Sequence, residues 1–299
     1  MRIEQSTKSR ADDMSGRLPG RRVIVGLVGK GIQKSRTPAM HEAEGRRQRF
    51  RYVYELLDIA TMGTKPPPLA EIIKAAEVCG FCGLNITFPF KREVVDHLDE
   101  LSETARAVGS VNTVVFRDGK RFGHNTDKWA FAESFRQSMA DTARRRVLLI
   151  GAGGAGSAVA HALLECGVER LTICDTNAAT AADLVGRLNG RFGSDRAEQA
   201  DDPATIAPQL DGVVNASPVG MATMPGTPFP PHLLTRQWVA DIVYFPIETD
   251  LLRSARARGC RTLSGAGMAV FQAACAFELF TGAPPDRACM QATFDAFAT

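Results

Sequence analysis

The sequence predicts an α/β protein with two domains, and three observations support this fold class. The chain has 299 residues, which is enough for two domains that each bury a core. Short apolar runs alternate with helical patterns along most of its length. In mid-chain, the apolar run of VLLIGAGGAG (147–156) ends in a glycine-rich turn that leads into a helical pattern. This turn marks the second domain, and the residues before it form a domain of their own.

The first domain is assigned to residues 21–127. Its strands are predicted from short apolar runs, namely VIVGLVG (23–29), YVYELLD (52–58) and GLNIT (83–87), and from VNTVVFRDGKRFGHN (111–125), which is typical of two strands around an Asp-Gly turn. Its helices are predicted at PLAEIIKAAEV (68–78) and KREVVDHLDEL (91–101). Residues 1–20 are polar and aperiodic, and we interpret them as a flexible tail.

The second domain is assigned to residues 128–267. Its predicted strands are RVLLI (146–150), RLTIC (170–174), GVVNAS (212–217), WVADIV (238–243) and a short CRTL (260–263). Two helical patterns follow without a further strand, GMAVFQAACAFELF (267–280) and PDRACMQATFDAF (285–297). We expect the C-terminal helices, residues 268–299, to pack back on the first domain and complete it.

The glycine-rich turn has the layout of a Rossmann-like dinucleotide-binding site. Gly151 allows a tight bend, Gly153 leaves bare backbone for a pyrophosphate at the helix N-terminus, and Gly156 allows close packing of helix on strand. Asp175 ends the next predicted strand, where a carboxylate can accept hydrogen bonds from a ribose. The predicted cofactor-binding residues here are Gly151, Ala152, Gly153, Gly154, Ala155, Gly156 and Asp175.

Composition narrows the class of partner to a small molecule. The net charge is +3 and the charges are interspersed, so no basic stripe for nucleic acid is present. No apolar run is long enough for a membrane span, and the N-terminus lacks a secretory signal. The cysteine count is seven, which is odd and fits a reducing cytoplasm. Cys79 and Cys82 are interpreted as buried thiols, and the five scattered histidines predict no metal site.

Several polar residues follow predicted strands, where α/β folds bind their ligands. Asn85, Thr87 and Lys91 come after GLNIT, although each could serve only the turn or the solvent. Asp127 stands where a helix begins and could be its N-cap. Asn112 lies within an apolar run, where its amide needs a partner.

A further segment, GIQKSRTPAMHEAEG, begins a predicted helix. Thr37 and Pro38 fit an N-cap followed by proline at the first helical position, so capping alone could explain them. Ser35 and Thr37 could instead direct two hydroxyls and a helix N-terminus at a carboxylate.

Taken together, these segments resemble the shikimate dehydrogenases, including the NAD-dependent quinate/shikimate dehydrogenase branch. The resemblance covers residues 23 to 282, and its motifs occur in the family's order: SRTPAMH, GLNITFPFK, VGSVNTV, GHNTD, GAGGAG, VVNASPVGM, DIVYFPIETDLL and GMAVFQAACAFELFTG. It implies metal-independent, reversible hydride transfer between a nicotinamide and a ring hydroxyl of shikimate or quinate. It also implies a place in the chorismate pathway of aromatic amino acid biosynthesis.

Carried over residue by residue, the resemblance makes Lys91 and Asp127 the catalytic pair. The substrate carboxylate would be held by Ser35, Thr37 and Tyr244, and the ring hydroxyls by Asn85, Thr87, Asn112 and Gln272. Further cofactor contacts would come from Ala216, Met221 and Gly265. Because Asp175 would repel a 2′-phosphate, we expect NAD rather than NADP.

Three departures from the family pattern leave the substrate open. Thr37 replaces the usual second serine and is similar to the quinate-using branch, while Ala130 and Ser264 stand where glycine and aspartate are frequent. Two alternatives therefore remain: a dehydrogenase of an amino-substituted shikimate, and a non-catalytic sensor of shikimate-like acids. The sequence allows a monomer or a homodimer.

Overall fold

The structure, a computed structural model, describes residues 20–297. The predicted flexible tail lies outside the described residues except for Gly20. The described chain forms two six-stranded sheets, one on each side of the helix that starts at Asp127. The predicted α/β fold class is confirmed, whereas the domain boundaries at 21–127, 128–267 and 268–299 stay predictions.

The first sheet is mixed. Its strands are β1 (Arg22–Gly29), β2 (Arg51–Asp58), β3 (Gly83–Ile86), β4 (Glu100–Leu101), β5 (Thr113–Arg117) and β6 (Lys120–His124). In space the order is β2-β1-β3-β5-β6-β4. β1 is parallel to β2 and β3, and β5 runs antiparallel to β3 and β6. The Asp-Gly turn is confirmed, since Asp118 and Gly119 both have positive φ, 53° and 72°.

The helices of this part of the chain are α1 (Thr37–Arg47), α2 (Leu69–Val78) and α3 (Glu103–Val108). The helix predicted at 91–101 is wrong. A 3₁₀ helix covers Glu93–His97, and the chain then becomes extended and pairs as β4 with β6. The unpredicted helix α3 starts after Ser102, whose side chain accepts a hydrogen bond from the Ala105 amide.

The second sheet is wholly parallel. Its strands are β7 (Arg146–Ile150), β8 (Arg170–Cys174), β9 (Ala197–Gln199), β10 (Gly212–Asn215), β11 (Trp238–Asp241) and β12 (Thr262–Leu263). The spatial order β12-β11-β10-β7-β8-β9 reverses direction between β7 and β10. The crevice at such a switch point is where doubly wound sheets bind ligands, and here the glycine turn follows β7 directly. Among the described strands of this second sheet, only β9 was missing from the sequence prediction.

The helices around the second sheet are α4 (Asp127–Met139), α5 (Gly154–Glu165), α6 (Ala178–Phe192), α7 (Pro203–Ile206) and α8 (Asp250–Ala257). Apolar residues cover both faces of the sheet. None of the helices within residues 20–297 is long and apolar enough to cross a membrane.

The last two helices are α9 (Ala266–Thr281) and α10 (Arg287–Asp295). As predicted, they pack back on the first sheet, where Val270, Phe277 and Phe294 join its core. α9 also lies against α4 so closely that a Cβ at Gly267 would be 2.5 Å from the Ser134 hydroxyl. Since α9 contacts both halves of the molecule, it braces the cleft between the two sheets.

The prediction that Cys79 and Cys82 are buried is wrong. Cys79 is exposed because α2 ends at Val78, and Cys82 is half-buried. Both are free thiols, as are the other five cysteines. Among residues 20–297, no group of three or more His, Cys, Asp or Glu side chains is arranged to hold a metal ion.

Candidate active site at the cleft between the sheets

Lys91 and Asp127 form a buried ion pair. Lys91 Nζ lies 2.6 Å from Asp127 Oδ2, and the two side chains are 17% and 5% exposed. Lys91 follows β3 and the cis Phe88-Pro89 peptide, while Asp127 is the first residue of α4. The N-cap interpretation of Asp127 is wrong, because Thr126 occupies that position and the Asp127 carboxylate binds the lysine instead.

Asn112 holds the other oxygen of this carboxylate. Its Nδ2 donates to Asp127 Oδ1 at 2.9 Å and to Thr126 Oγ1 at 2.8 Å, while its Oδ1 accepts from the Thr126 amide at 2.9 Å. Thr126 Oγ1 in turn donates to the backbone oxygen of Gln272 on α9 at 3.3 Å. The Gln272 side chain is half-buried and donates to Ala269 O at 3.2 Å. Four predicted site residues therefore meet at the start of α4.

Ser35, Thr37 and Tyr244 also come together, although Tyr244 is far from the other two in sequence. The Thr37 amide donates to Ser35 Oγ at 3.3 Å, and the nearby Ser35 side chain acts to lower the pKa of the Tyr244 hydroxyl. Burial raises the pKa of Tyr244, so the phenol stays protonated as a donor. Thr37 is not the N-cap as predicted but the first residue of α1, after Arg36. Its Oγ1 has no hydrogen-bond partner within the described chain.

Asp58, which the sequence analysis missed, fixes the loop that carries Ser35. Its carboxylate accepts hydrogen bonds from the amides of Gly31 at 2.8 Å and Ile32 at 2.9 Å, and from Gln33 Nε2 at 3.2 Å. Burial opposes ionisation of this carboxylate, but the hydrogen bonds hold its pKa below the usual range. The only sequence signal was an acidic residue at the end of a strand.

Asn85 and Thr87 differ in what they offer to a ligand. The buried amide of Asn85 is already hydrogen-bonded to the Tyr54 hydroxyl at 2.8 Å and to Thr113 Oγ1 at 3.0 Å. The methyl group of Thr87 packs closely on Gly29, because a Cβ added to Gly29 would lie 2.3 Å from that methyl carbon. The Thr87 hydroxyl has no hydrogen-bond partner among residues 20–297, and this leaves it available to a substrate.

The glycine turn has the shape that a dinucleotide requires. Gly151 has a φ of 101° and packs on the backbone of Ala216, and a Cβ at Gly156 would lie 2.0 Å from Gly151 O. A Cβ at Gly153 would instead meet nothing within 4 Å, so open space faces the N-terminus of α5. Gly154 and Ala155 form the first turn of that helix, whose free amides point into this space. These features fit a bound pyrophosphate.

Asp175 lies beside this turn, at the end of β8. Its Oδ2 accepts a hydrogen bond from the Ala152 amide at 2.6 Å, and its Oδ1 accepts one from the Asn177 amide at 2.8 Å. The carboxylate is thus fixed next to the space where the ribose of a dinucleotide would lie.

Ala216, Met221 and Gly265 lie around the ends of the neighbouring strands. The Ala216 amide donates to Ile150 O at 2.7 Å, and the half-buried Met221 lies in the following loop. Gly265 is buried and starts α9, where a Cβ would be 2.4 Å from Ile242 O. Ala216 therefore lies against the glycine turn, whereas Gly265 packs on the backbone that follows β11.

Asp241 at the end of β11 supports these loops. Its carboxylate accepts hydrogen bonds from Asn215 Nδ2 at 3.0 Å and from Thr249 Oγ1 at 2.8 Å. Burial raises the pKa of Asp241 to about 6.

The glycine turn and the Lys91–Asp127 pair face each other across the cleft. A Cβ at Gly154 would lie 2.8 Å from Lys91 Cβ. Ser110 Oγ donates to Gly154 O at 2.9 Å, and Ser157 Oγ donates to Val108 O at 2.6 Å. Sequence patterns could not indicate these serines, because their partners lie more than forty positions away. The Lys91–Asp127 ion pair is therefore held directly next to the glycine turn.

This combination of fold and site is that of a dinucleotide-dependent oxidoreductase. Family models match at both ends of the chain: the shikimate dehydrogenase substrate binding domain at residues 27–114 and the shikimate 5′-dehydrogenase C-terminal domain at residues 265–293. The chain belongs to the shikimate dehydrogenase family. A ThiF family model also matches residues 127–188, which include the glycine turn.

Known proteins similar to this chain include both NADP-named and NAD-named enzymes. A shikimate dehydrogenase (NADP(+)) of Streptomyces avermitilis is 52% identical over 88% of this chain and 91% of its own length. A quinate/shikimate dehydrogenase (NAD(+)) of Corynebacterium efficiens is 47% identical over 91% and 97%. The solved quinate dehydrogenase of Corynebacterium glutamicum in complex with NAD is 43% identical, with a TM-score of 0.84 over 93% of this chain and 100% of that chain.

Proposed function

We propose that this protein is an NAD-preferring dehydrogenase of shikimate and quinate, which interconverts the ring alcohol and the 3-dehydro ketone. The observation that carries the proposal is the buried Lys91–Asp127 pair, 2.6 Å apart and in contact with the glycine turn through Gly154. An acid/base group placed next to a dinucleotide site is what hydride transfer from an alcohol requires.

The bound cofactor would supply the hydride acceptor, and the protein would handle the proton. For oxidation, neutral Lys91 accepts the proton of the reacting hydroxyl; for reduction, its ammonium returns the proton. Asp127 hydrogen-bonds both the substrate hydroxyl and Lys91, so it aligns the two. Asn112 keeps the Asp127 carboxylate from rotating, because it binds the opposite oxygen.

Substrate binding uses hydroxyl groups that need a partner. Ser35, Thr37 and Tyr244 hold the carboxylate, supported by the hydrogen bond from the Thr37 amide to Ser35 Oγ and by the free Thr37 hydroxyl. Thr87 and Gln272 hold ring hydroxyls. Asn112 acts instead by orienting Asp127, because its amide is fully used by Asp127, Thr126 and Thr113. Asn85 contributes to the same site, but its amide is fully used by Tyr54, Thr113 and Asn112 O. We therefore assign Asn85 chiefly to holding β3 and β5 in register below the substrate.

The preference for NAD rests on Asp175. Its carboxylate is fixed by the amides of Ala152 and Asn177, so it cannot easily turn away from a 2′-phosphate. A cytoplasmic location and a monomeric or homodimeric state remain predictions.

The test is an absorbance assay of NADH or NADPH formation by the purified protein. Shikimate, quinate and an amino-substituted shikimate are each tried with NAD and with NADP. Oxidation of shikimate or quinate supports the proposal. Oxidation of the amino-substituted acid alone would replace the proposed substrate, and binding of these acids without turnover would support the sensor alternative.

A further inference from the structure

Two arginines cross the cleft in opposite directions at the edge of the glycine turn. Arg92, the residue after Lys91, donates from Nη2 to Ala152 O at 2.8 Å. Arg187 on α6 donates from Nη1 to Val108 O at 2.9 Å, and it packs on Gly109. Each half of the molecule thus extends one guanidinium group into the other half.

The positive charge at this position is only partly compensated. Arg92 is half-buried, and no carboxylate among residues 20–297 forms an ion pair with it. Within the described part of the chain, Arg187 forms an ion pair only with Asp183, at 3.2 Å on the exposed side of α6. Burial and the charge of Arg187 lower the pKa of Arg92, and the charges of Asp183 and Asp175 offset this lowering only in part. Two adjacent guanidinium groups in a partly desolvated place are costly unless an anion binds them.

The position of Arg92 indicates which anion this is. Ala152, whose carbonyl binds Arg92, also donates its amide to Asp175 and belongs to the turn that faces the open space at Gly153. Arg92 therefore lies between the place for a pyrophosphate and the place for the adenosine ribose. Arginine suits this task, since its planar guanidinium can bind two phosphate oxygens at once.

We propose that Arg92, assisted by Arg187, binds a phosphate group of the dinucleotide from the substrate side of the cleft. The proposal rests on the proposed function, in that the site takes NAD or NADP. It adds a cofactor contact one residue after Lys91, so that cofactor binding also orders the segment that carries the catalytic lysine. The phosphate is either the pyrophosphate, common to both cofactors, or the 2′-phosphate of NADP.

The experiment measures the dissociation constants of NAD and NADP by calorimetry for the wild type, Arg92→Gln and Arg187→Gln. We expect Arg92→Gln to weaken binding by about 10-fold to 100-fold, and Arg187→Gln to weaken it less. Equal weakening for both cofactors identifies the pyrophosphate. Weakening for NADP alone identifies the 2′-phosphate, and the two arginines would then offset the repulsion by Asp175.

Two control variants separate phosphate binding from other effects. Arg145→Gln removes an exposed positive charge at the opposite end of β7, and we expect no change in either constant. Ser110→Ala removes another hydrogen bond between the two halves without changing the charge, and we expect a smaller effect than for Arg92→Gln. An effect of Ser110→Ala equal to that of Arg92→Gln would mean that Arg92 only docks the two halves, and the proposal would be wrong.

The outcome also separates this proposal from the proposed function. In one outcome, the wild type binds a dinucleotide while Arg92→Gln binds both cofactors with dissociation constants within twofold of the wild-type values. That result overturns only the role of Arg92. A wild type that binds neither cofactor overturns both.

Discussion

Lys91 Nζ and Asp127 Oδ2 lie 2.6 Å apart, although the two residues are 36 positions apart and belong to different structural elements. The lysine lies in the segment after β3 and the carboxylate lies at the start of α4, so the pair forms only in the folded chain. Because both side chains are largely buried, each charge depends on the other.

The first prediction is that this pair acts as a catalytic unit. Lys91→Ala and Asp127→Ala should each lower kcat by roughly 10²–10⁴, the range of a positioned acid/base, while the dissociation constant of NAD changes little. Steady-state kinetics and calorimetry measure the two quantities. The exposed pair Lys120–Glu100, 2.7 Å apart, supplies the control variant Lys120→Ala, which should keep the wild-type kcat. More than half of the wild-type kcat in Lys91→Ala would contradict the assignment.

The second prediction uses the open space at Gly153. With a φ of −66° this residue tolerates a side chain, and a Cβ would touch nothing in the protein. Gly153→Ala should therefore keep the wild-type Tm but weaken NAD binding about 10-fold to 100-fold, because the methyl group occupies the place of the pyrophosphate. Gly190→Ala on α6, also without close neighbours, should raise stability slightly and leave NAD binding unchanged. Equal NAD affinity of both variants would place the cofactor elsewhere.

Local patterns predicted most strands and the glycine turn, because their signals lie within a few adjacent residues. The segment EVVDHLDEL was misread because its apolar spacing also fits a helix. In the structure, pairing of β4 with β6 and the cap at Ser102 decide its conformation instead. Tertiary contacts override local propensity at such a place.

The site could be predicted only in part for the same reason. The roles of Lys91 and Asp127 followed from a family resemblance, and the structure brings these two residues together. Asp58, Ser110 and Arg92 were missed, because each acts through backbone groups distant in sequence. Backbone donors and acceptors are the same for nearly every residue type, so they leave no pattern in the sequence.

The third prediction concerns the choice of cofactor. The wild type should have a higher kcat/KM with NAD than with NADP, and Asp175→Asn should shift this ratio toward NADP about tenfold because it removes a fixed negative charge. The asparagine oxygen can still accept from the Ala152 amide, whereas the hydrogen bond from the Asn177 amide is lost. Kinetics with both cofactors measure the ratio. A wild type that prefers NADP would show that the charge of Asp175 does not decide the choice.

The fourth prediction concerns the substrate. Quinate carries an extra hydroxyl on the carbon that bears the carboxylate, next to Ser35, Thr37 and Tyr244 in the proposed pose. Thr37→Ser keeps the hydroxyl but removes the methyl group that restricts its rotamer. We expect the quinate-to-shikimate ratio of kcat/KM to change by ~10-fold to 100-fold, in a direction that the kinetics will define, with a smaller change in the KM of NAD. An unchanged ratio would remove Thr37 from the determinants of specificity.

The last prediction follows from the buried carboxylates of Asp241 and Asp58, which should respond to acid in opposite ways. Asp241 has its pKa raised from 3.8 to about 6, so the folded protein binds this proton more tightly than the unfolded chain. As the pH falls from about 7 to about 4, the free energy of unfolding of the wild type should therefore rise relative to that of Asp241→Asn, by up to ~3 kcal/mol.

The pKa of Asp58 is lowered instead, so its contribution to stability is present above pH 3.8 and is lost as the pH falls below that value. The wild type should accordingly lose stability relative to Asp58→Asn on further acidification. Urea unfolding of the three proteins at each pH measures these differences, in which the other titrating groups cancel. The stability difference between the wild type and Asp241→Asn and that between the wild type and Asp58→Asn should change with pH in opposite directions. If both changed in the same direction, burial would not control the pKa of Asp241.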